Sequence, residues 1–482
     1  MTAPRKPSPA GKSRARLTEG AVGPSLLKLA APMLLGIAAI IFFQLVDTFF
    51  IGMLGDEELA AVGFCYPVTF IVLNVAFGLS VATTSVVAQA IGRGDEKHAA
   101  RLATHALLLG ATAVVTVAVI GLLTIDPLFT AIGAAPNHLA LIREYMTPWY
   151  LGVATLVVPI LANSGMRAAG DAKTPGLIML ASGGINALLD PILIFGFGPV
   201  PAMGLTGAAV ATVLAWAAIV PAAFYFLREK GLLSWGVRQA SDLLSSFRSI
   251  LRIGLPAVAS NLLVPVSSTL LTAMVASYGS DAVAGYGVGT RLESFSMVGF
   301  MALSASISAF SAQNFGAQRG DRLKQAVHFS LRACAIYGLG AGLVLAVLAT
   351  PIAAIFSNSQ RVSDITVLYQ RLIPLSFAPL GFALVVNSFL NGTDRPRRGL
   401  LLVLLRLFVL TLPLAYLGSF WAELRGLFIG VTLSNLAAGV AAYLVIRHRL
   451  QEISDVTSAP PSPATSEEGR TQSTPTAVKA RG

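Results

Sequence analysis

Charge is scarce in this chain. Only 12% of its 482 residues are Asp, Glu, Lys or Arg, while 55% are hydrophobic. Soluble domains carry about 25% charge, so a water-solvated globule is excluded. Cysteine is nearly missing. Cys65 and Cys334 each sit in an apolar segment and form neither a disulfide framework nor a thiolate metal site. Histidine is sparse too: His98, His105, His138, His328 and His448 lie mostly in loops or near helix ends. No phosphate-cradling loop and no nucleophile elbow occurs. Covalent catalysis finds no support, no cofactor is expected, and transport driven by a bound nucleotide is excluded. The first residues are basic and Pro/Ser-rich, without the short apolar core of a cleavable signal.

Apolar runs of helix-spanning length fill the rest. They predict twelve spans, at 25–53, 60–90, 100–124, 140–165, 175–197, 204–227, 250–278, 284–314, 324–349, 366–390, 399–419 and 425–446. The net charge of +11 follows topology rather than a polyanion partner. With both termini in the cytoplasm, 29 of 34 Lys and Arg fall on the inner side. Only Arg143, Arg361, Arg371 and Arg425 are outside, with Arg291 near the outer end of its span. That asymmetry is the positive-inside pattern. The expected place is a prokaryotic inner membrane.

The chain also repeats. At an offset of 224, Leu27–Pro32 meets Leu251–Pro256, Gly55 meets Gly279, Gln89 and Gly92 meet Gln313 and Gly316, and Asn163 meets Asn387. Each half holds six spans, so both enter from the same side. Parallel repeats imply an axis along the membrane normal and a cleft between halves. The expected fold is therefore all-α and polytopic, with twelve transmembrane helices in two parallel six-helix repeats around a V-shaped cleft. Its expected parts are a disordered basic segment 1–24, an N-lobe 25–228, a cytoplasmic linker 229–249, a C-lobe 250–448 and a disordered tail 449–482.

Three acids lie well inside spans: Asp47, Asp190 and Glu293. An Asp at a helix centre costs about 2.5–3.5 kcal/mol on insertion scales. Asp47 and Asp190 each stand eight residues from the outer end of their span, and Thr212 stands eight from the outer start of its own. Eight residues rise about 12 Å, which puts the three at one depth. Asn186 lies one turn below Asp190, and Gln44 shares a face with Asp47. Two carboxylates, an amide and a hydroxyl make an oxygen-rich pocket for Na⁺ or a shared proton, and offer no nitrogen or sulfur to a transition metal. The second half has Leu271 opposite Asp47, and Phe408 and Leu412 opposite Asn186 and Asp190. The scaffold therefore closes without the acids, which points to function. Glu293 has Arg291 two residues away, so it reads either as a local pair that largely neutralises it or as a functional acid. Tyr145, Trp149 and Tyr150 read as an interfacial aromatic belt, with contact to substrate as the other reading for the tyrosines. Asn163, matched by Asn387, reads as helix packing or as a polar substrate contact beside Gln44. Proline at 191 loosens the helix next to Asp190, and Pro413 repeats that bend.

The segments "KLAAPMLLG", "VDTFFIGMLGDEELAAVGF", "GRGD", "RAAGDAKTP", "INALLDPILIFG" and "GLTGAAVAT" together resemble the MATE family of multidrug and toxic compound extrusion antiporters, over residues 25–448. The resemblance is nearest to the DinF-like branch. It implies that Asp47, Asp190, Asn186 and Thr212 carry cation coupling, and that the first helix bends at Pro32. The NorM-like branch uses acids in helices 7 and 10. Here "NLLVPVSSTLL" and "IPLSFAPLGFALVVN" hold none, so the likeness does not extend to a C-lobe Na⁺ site. The expected activity is efflux of amphipathic organic cations by a monomer, driven by H⁺ more than Na⁺. The alternative is a lipid or lipid-linked oligosaccharide flippase, which should line its cleft with Arg or Lys. Arg291, and Arg406 nearer the cytoplasmic end, are the candidates within spans.

Overall fold

Long uninterrupted apolar stretches leave the backbone no partner but itself in a bilayer, and helices follow. The computed structural model describes residues 16–234, 240–356 and 359–458. The first half comprises α1 (Val22–Gly52), α2 (Asp56–Gly92), α3 (Glu96–Ile132), α4 (Pro136–Ala168), α5 (Lys173–Phe195) and α6 (Gly204–Glu229). The second comprises α7 (Ala240–Ala276), α8 (Ser280–Gly316), α9 (Gly320–Val347), short α10 (Ala349–Phe356), α11 (Gln360–Leu372), α12 (Phe377–Gly392), α13 (Pro396–Leu404) and α14 (Leu412–Ser458). A 3₁₀ turn joins α11 to α12, and a π-helical stretch, Leu405–Thr411, joins α13 to α14.

Among the described residues, eleven helical stretches are long and apolar enough to cross a membrane. The last of them, Pro396–Asp455, makes two passes. Ala422 and Glu423 leave helical geometry inside it, and the chain doubles back so closely that a β-carbon on Gly418 would lie 2.1 Å from the Gly426 carbonyl oxygen. The result is twelve crossings, in two bundles with separate apolar cores. One core runs from Ile51 to Ile253 and the other from Val275 to Ile453. The second core also takes in Leu17, Val22, Leu26, Leu29 and Met33, so the start of α1 packs on the far bundle.

That packing revises the expectation for 1–24. Residues 1–15 lie outside the described residues, but Arg16–Thr18 is an ordered 3₁₀ turn. Asn314 and Arg322 donate to the Leu17 carbonyl, and Arg322 also reaches those of Glu19 and Gly20. Three carbonyls leaving a short turn need donors, and the Arg322 guanidinium supplies them. Likewise the expected tail begins later, since α14 continues to Ser458; residues 459–482, like linker residues 235–239, fall outside the described residues.

The halves join at the ends of α2 and α8, on the side that carries the basic turns. Gln89 at the end of α2 donates to the Gly392 carbonyl at the end of α12 (2.9 Å). Gln313 at the end of α8 donates to the Ala168 carbonyl at the end of α4. These two bonds exchange under the 224-residue repeat. Between them Gly92 and Gly316 bring backbones together: a β-carbon on Gly92 would lie 2.1 Å from the Gln313 carbonyl oxygen, and one on Gly316 2.2 Å from that of Gln89. Small residues permit this approach in membranes, where apolar surfaces alone give helices no drive to associate. Other hydrogen bonds between the halves lie at the same end, including Arg101 to Asp242 and His105 to Ser246.

Candidate functional site

The site begins with two helices that cross without side chains between them. A β-carbon on Gly36 of α1 would lie 3.2 Å from the Gly176 Cα of α5, and one on Gly176 2.8 Å from the Pro32 carbonyl oxygen. Further along, Gly183 accepts the Phe43 ring, which a β-carbon there would overlap at 1.9 Å. This close approach lays the Asp47 face of α1 against the Asp190 face of α5. A similar contact seats α6 on α5, because Gly207 meets the Leu193 carbonyl, 2.4 Å from where a β-carbon would stand.

Asp190 is fully buried. One carboxylate oxygen accepts from the Asn186 amide at 3.0 Å, and the same amide nitrogen lies 3.4 Å from the Thr212 hydroxyl. The expected grouping of α5 and α6 polar residues is therefore real, with Asn186 as its bridge. Asp47 stands within electrostatic reach of Asp190. Oδ1 of Asp47 and Oδ2 of Asp190 are both buried with no hydrogen-bond partner among the described residues. Neither acid pairs with a Lys or Arg among them. A fully buried carboxylate and a half-buried one, each with an orphaned buried oxygen, are costly unless a cation shares the site. The arrangement can take up a proton or a small hard cation, using the oxygens of Asp47, Asn186, Asp190 and Thr212. No group of three or more His, Cys, Asp or Glu suited to a transition metal occurs among the described residues.

The remaining candidates divide. Tyr145 is buried in the same lobe, within electrostatic range of Asp47 and Asp190 and without a hydrogen bond to either among the described residues. Tyr150 and Trp149 are buried as well, with the Tyr150 ring packed on the Gly121 backbone. The aromatic-belt reading is thus overturned: the cluster is core, because α4 lies in the middle of its bundle. Gln44 is exposed, its side chain makes no hydrogen bond among the described residues, and its carbonyl accepts from the Thr48 hydroxyl at 2.8 Å. Asn163 is buried away from the acids with Oδ1 unpartnered, as is Oδ1 of Asn387. Pro32 and Pro191 both lie inside continuous helices. Tyr66, which sequence reading did not single out, places its hydroxyl 3.0 Å from that of Thr48, the residue after Asp47.

Glu293 also departs from expectation. Its partner is not Arg291, which points outward. Tyr369 of α11 donates its hydroxyl to the Glu293 carboxylate, and the cation that offsets its charge is Arg406, in the π-helical stretch. The i, i+2 spacing of Arg291 and Glu293 puts them on different faces of one helix. A signal did exist for the tyrosine, because Tyr369 is Tyr145 shifted by 224.

These features match known proteins along nearly the whole chain. The sequence profile of the MatE family matches residues 32–192 and 256–417, one stretch in each half. A protein of Shewanella oneidensis named FAD transporter is 36% identical over 448 residues, covering 93% of this chain and 99% of its own length. Multidrug export protein MepA of Staphylococcus aureus is 24% identical over 435 residues, 88% of this chain and 94% of its own. The crystal structure of the Vibrio cholerae MATE transporter VcmN in its bent form superposes with a TM-score of 0.86 at 31% identity, covering 92% of this chain and 99% of that one. With its two-lobed helical fold and a family match in both halves, the chain belongs to the MATE family of membrane transporters.

Proposed function

We propose that the protein is a cation-coupled exporter in which a proton, in preference to Na⁺, binds at Asp47 and Asp190 and drives the switch between lobe arrangements. The observation that carries this reading is the pair of orphaned, buried carboxylate oxygens at the crossing of α1 and α5, with no basic partner. Asn186 and Thr212 hold Asp190 in place. The Pro32 region, where α1 touches α5 through Gly36 and Gly176, and Pro191 next to the acid are the places where helix geometry gives. Cargo and ion need not touch; each need only favour opposite states. With the basic turns inward in a prokaryotic inner membrane, the Gln89 and Gln313 clasp closes the cytoplasmic side, and the cleft is open outward. A monomer suffices, since both lobes come from one chain.

Amphipathic organic cations are the cargo that an acidic lobe favours, and MepA is named for multidrug export. A second reading has its own support: the FAD transporter is the relative with 36% identity across 93% of this chain. On that reading the cargo is an anionic flavin dinucleotide. The deciding experiment is transport in proteoliposomes with a pH gradient and a Na⁺ gradient imposed separately, using ethidium and FAD. Asp47→Asn and Asp190→Asn should each abolish gradient-driven transport while leaving inserted protein at wild-type levels. Wild-type rates in both variants would sink the coupling assignment.

A further inference from the structure

The face that a helix turns to the other lobe can be followed past the height where the lobes part. Contact between the lobes runs along α1, α2, α7 and α8. On α8 the seam is marked by Gly316, which meets the Gln89 backbone, and by Ala305 and Ala309, which share a crevice with Leu29 and Met33 of α1. At about 100° per residue these positions fall within about 40° of one another. Continued toward the outer end, the same face carries Val298 and then Ser294, Phe295 and Arg291. Val298 is still buried, whereas Ser294, Phe295 and Arg291 are exposed. Tyr286 and Gly289, on the opposite face at that height, remain buried in their own lobe. The seam therefore opens above Val298, and Arg291 stands on its wall. On α2 the seam face passes Gly92 and Gly78, the latter against Val258 of α7, and becomes exposed at Phe70, Pro67 and Gly63.

Two unused donors reach this opening at one depth. Gln44 stands eleven residues before Gly55, and Arg291 stands twelve after Gly279, the repeat counterpart of Gly55. Eleven or twelve residues rise about 16–18 Å. Gln44 lies eleven residues, about three turns, above Met33, so it shares the face that α1 turns to α8. Its carbonyl accepts from Thr48, whose hydroxyl meets that of Tyr66, and this chain ties α2 to α1 beside it. Arg291 makes no hydrogen bond and no ion pair among the described residues.

The opening has little other charge. No Asp, Glu, Lys or Arg occurs between residues 59 and 92 of α2, or between 253 and 276 of α7. Asp47 belongs to the α1 face laid against α5, and Glu293 is bonded to Tyr369 on the far side of α8. Aromatic surface is plentiful: Tyr66, Phe70, Phe77 and Phe295 are each about half exposed.

We propose that Arg291, with Gln44 across from it, recognises the phosphate of a planar aromatic cargo whose rings lie on the exposed phenylalanines of α2 and α8. A guanidinium presents paired donors to phosphate oxygens, and a wall with a cation and no carboxylate repels an organic cation. The inference deepens the flavin dinucleotide reading above and rests on it.

The test is fluorescence titration of riboflavin and of its monophosphate, which differ by one phosphate, onto the full-length protein in phosphatidylcholine nanodiscs without a gradient. Wild type should prefer the monophosphate by about tenfold or more, as a charge-assisted contact gives. Arg291→Gln should cut that preference to about twofold or less and leave riboflavin within about twofold of wild type. Arg291→Lys should keep part of the preference. Gln44→Leu should weaken the monophosphate by about two- to tenfold, the range of one hydrogen bond. Asp47→Asn should leave the preference intact, which separates this assignment from the coupling site. If wild type shows no preference, or if both flavins weaken together in Arg291→Gln, the guanidinium only shapes the wall and the proposal fails. If phosphatidylglycerol nanodiscs abolish the wild-type preference, a lipid headgroup occupies the site and the proposal fails. If wild type binds neither flavin, the flavin reading falls and this assignment with it, while the coupling role of Asp47 and Asp190 is still decided by gradient-driven transport.

Discussion

Cutting the clasp between the lobes should shift the resting conformation by a calculable amount. Gln89 and Gln313 each give one side-chain bond to a carbonyl at the end of a helix in the other lobe, at 2.9 Å for Gln89. Both glutamines are buried. Gln89→Ala or Gln313→Ala removes the donor and leaves the Gly392 or Ala168 carbonyl without it. A net hydrogen bond of this kind contributes about 0.5–1.5 kcal/mol. Both break in one opening event, so the double variant should lose about 1–3 kcal/mol, which shifts the open-to-closed ratio about 5- to 150-fold. Gln313 has the larger share, because its Oε1 also accepts from the Leu17 amide (3.2 Å) and ties in the amino-terminal turn.

The chain's own chemistry supplies the assay. Cys65 and Cys334 are buried, so a Cys introduced for Ala312 is the reporter. Ala312 belongs to α8 yet is wholly buried in the core of the first lobe. A maleimide reaches position 312 only when the lobes separate at this end. Labelling rates in inside-out vesicles should rise in each single variant and rise further in the double one, by roughly the product of the two single increases if the bonds break together. Unchanged labelling in the double variant would show that the Gly92 and Gly316 backbone contact holds the lobes alone, and would refute the role assigned to the glutamines.

Gly92→Ala should open the same gate more strongly than either glutamine variant, because a β-carbon 2.1 Å from the Gln313 carbonyl oxygen cannot be placed without backbone movement; maleimide labelling at position 312 reads it. Asn186→Ala takes from Asp190 its one named hydrogen bond, at 3.0 Å, and should lower gradient-driven transport with a loss of about 1–3 kcal/mol of transition-state or binding free energy, seen as reduced initial rates at unchanged expression. Lys230→Gln should destabilise the protein by about 1.5–3 kcal/mol, the range of hydrogen bonds to charged groups, because Lys230 lies 2.7 Å from the partly buried Asp171 carboxylate. Burial alone would raise the Asp171 carboxyl, but Lys230 and the Thr174 hydroxyl and amide outweigh it and hold the group below its usual range. A depressed folded-state value means that the stabilisation is complete above the ordinary carboxylate range and is lost as pH falls through the folded value. The difference in melting temperature between wild type and Lys230→Gln should therefore shrink on acidification, and a difference that grows would contradict the sign.

Much of this architecture was legible before any coordinates, for reasons that lie in particular residues. Helix count and repeat could be read because hydrocarbon thickness fixes span length and because Gln89, Gly92 and Asn163 recur 224 residues on. Depth counting from Gly55, Gly198 and Gly204 brought Asp47, Asp190 and Thr212 together, since a helix rises evenly and the turns mark its ends. What failed was anything that depends on which way a face turns within a bundle. Tyr145, Trp149 and Tyr150 sit near a helix end, where an aromatic belt is usual, yet α4 is the buried centre of its lobe. Arg291 and Glu293 are near in sequence and apart in space. Arg406, counted toward the cytoplasmic end, stands within a π-helical stretch that no local pattern announces. The order of residues 16–20 was hidden as well, because it is set by Arg322 and Asn314, roughly 300 positions away.

The repeat bears on how the proposed exporter would keep ion and cargo apart. Had both lobes carried the same polar set, cation and substrate would compete on equal terms at two places, and binding one would merely exclude the other. Duplication preserved what builds a lobe: the tyrosines at 145 and 369, the asparagines at 163 and 387, the glutamine and glycine of the clasp, and the prolines at 191 and 413. It let the charges diverge. The first lobe holds two acids with unpartnered carboxylate oxygens, and the second holds one acid, Glu293, bonded to the Tyr369 hydroxyl. On the proposed coupling, a cation entering the first lobe acts where α1 meets α5, and α1 begins its course packed on the second lobe through Leu26, Leu29 and Met33. On that proposal the helix next to the ion is also the one that touches the other bundle, so α1 is the element through which ion and cargo would be coupled. Substituting Leu29 or Met33 by Ala should accordingly weaken the dependence of cargo binding on the ion gradient, while leaving ion binding at Asp47 and Asp190 and cargo binding at zero gradient close to wild type. Loss of all three together would mean that α1 serves only as packing.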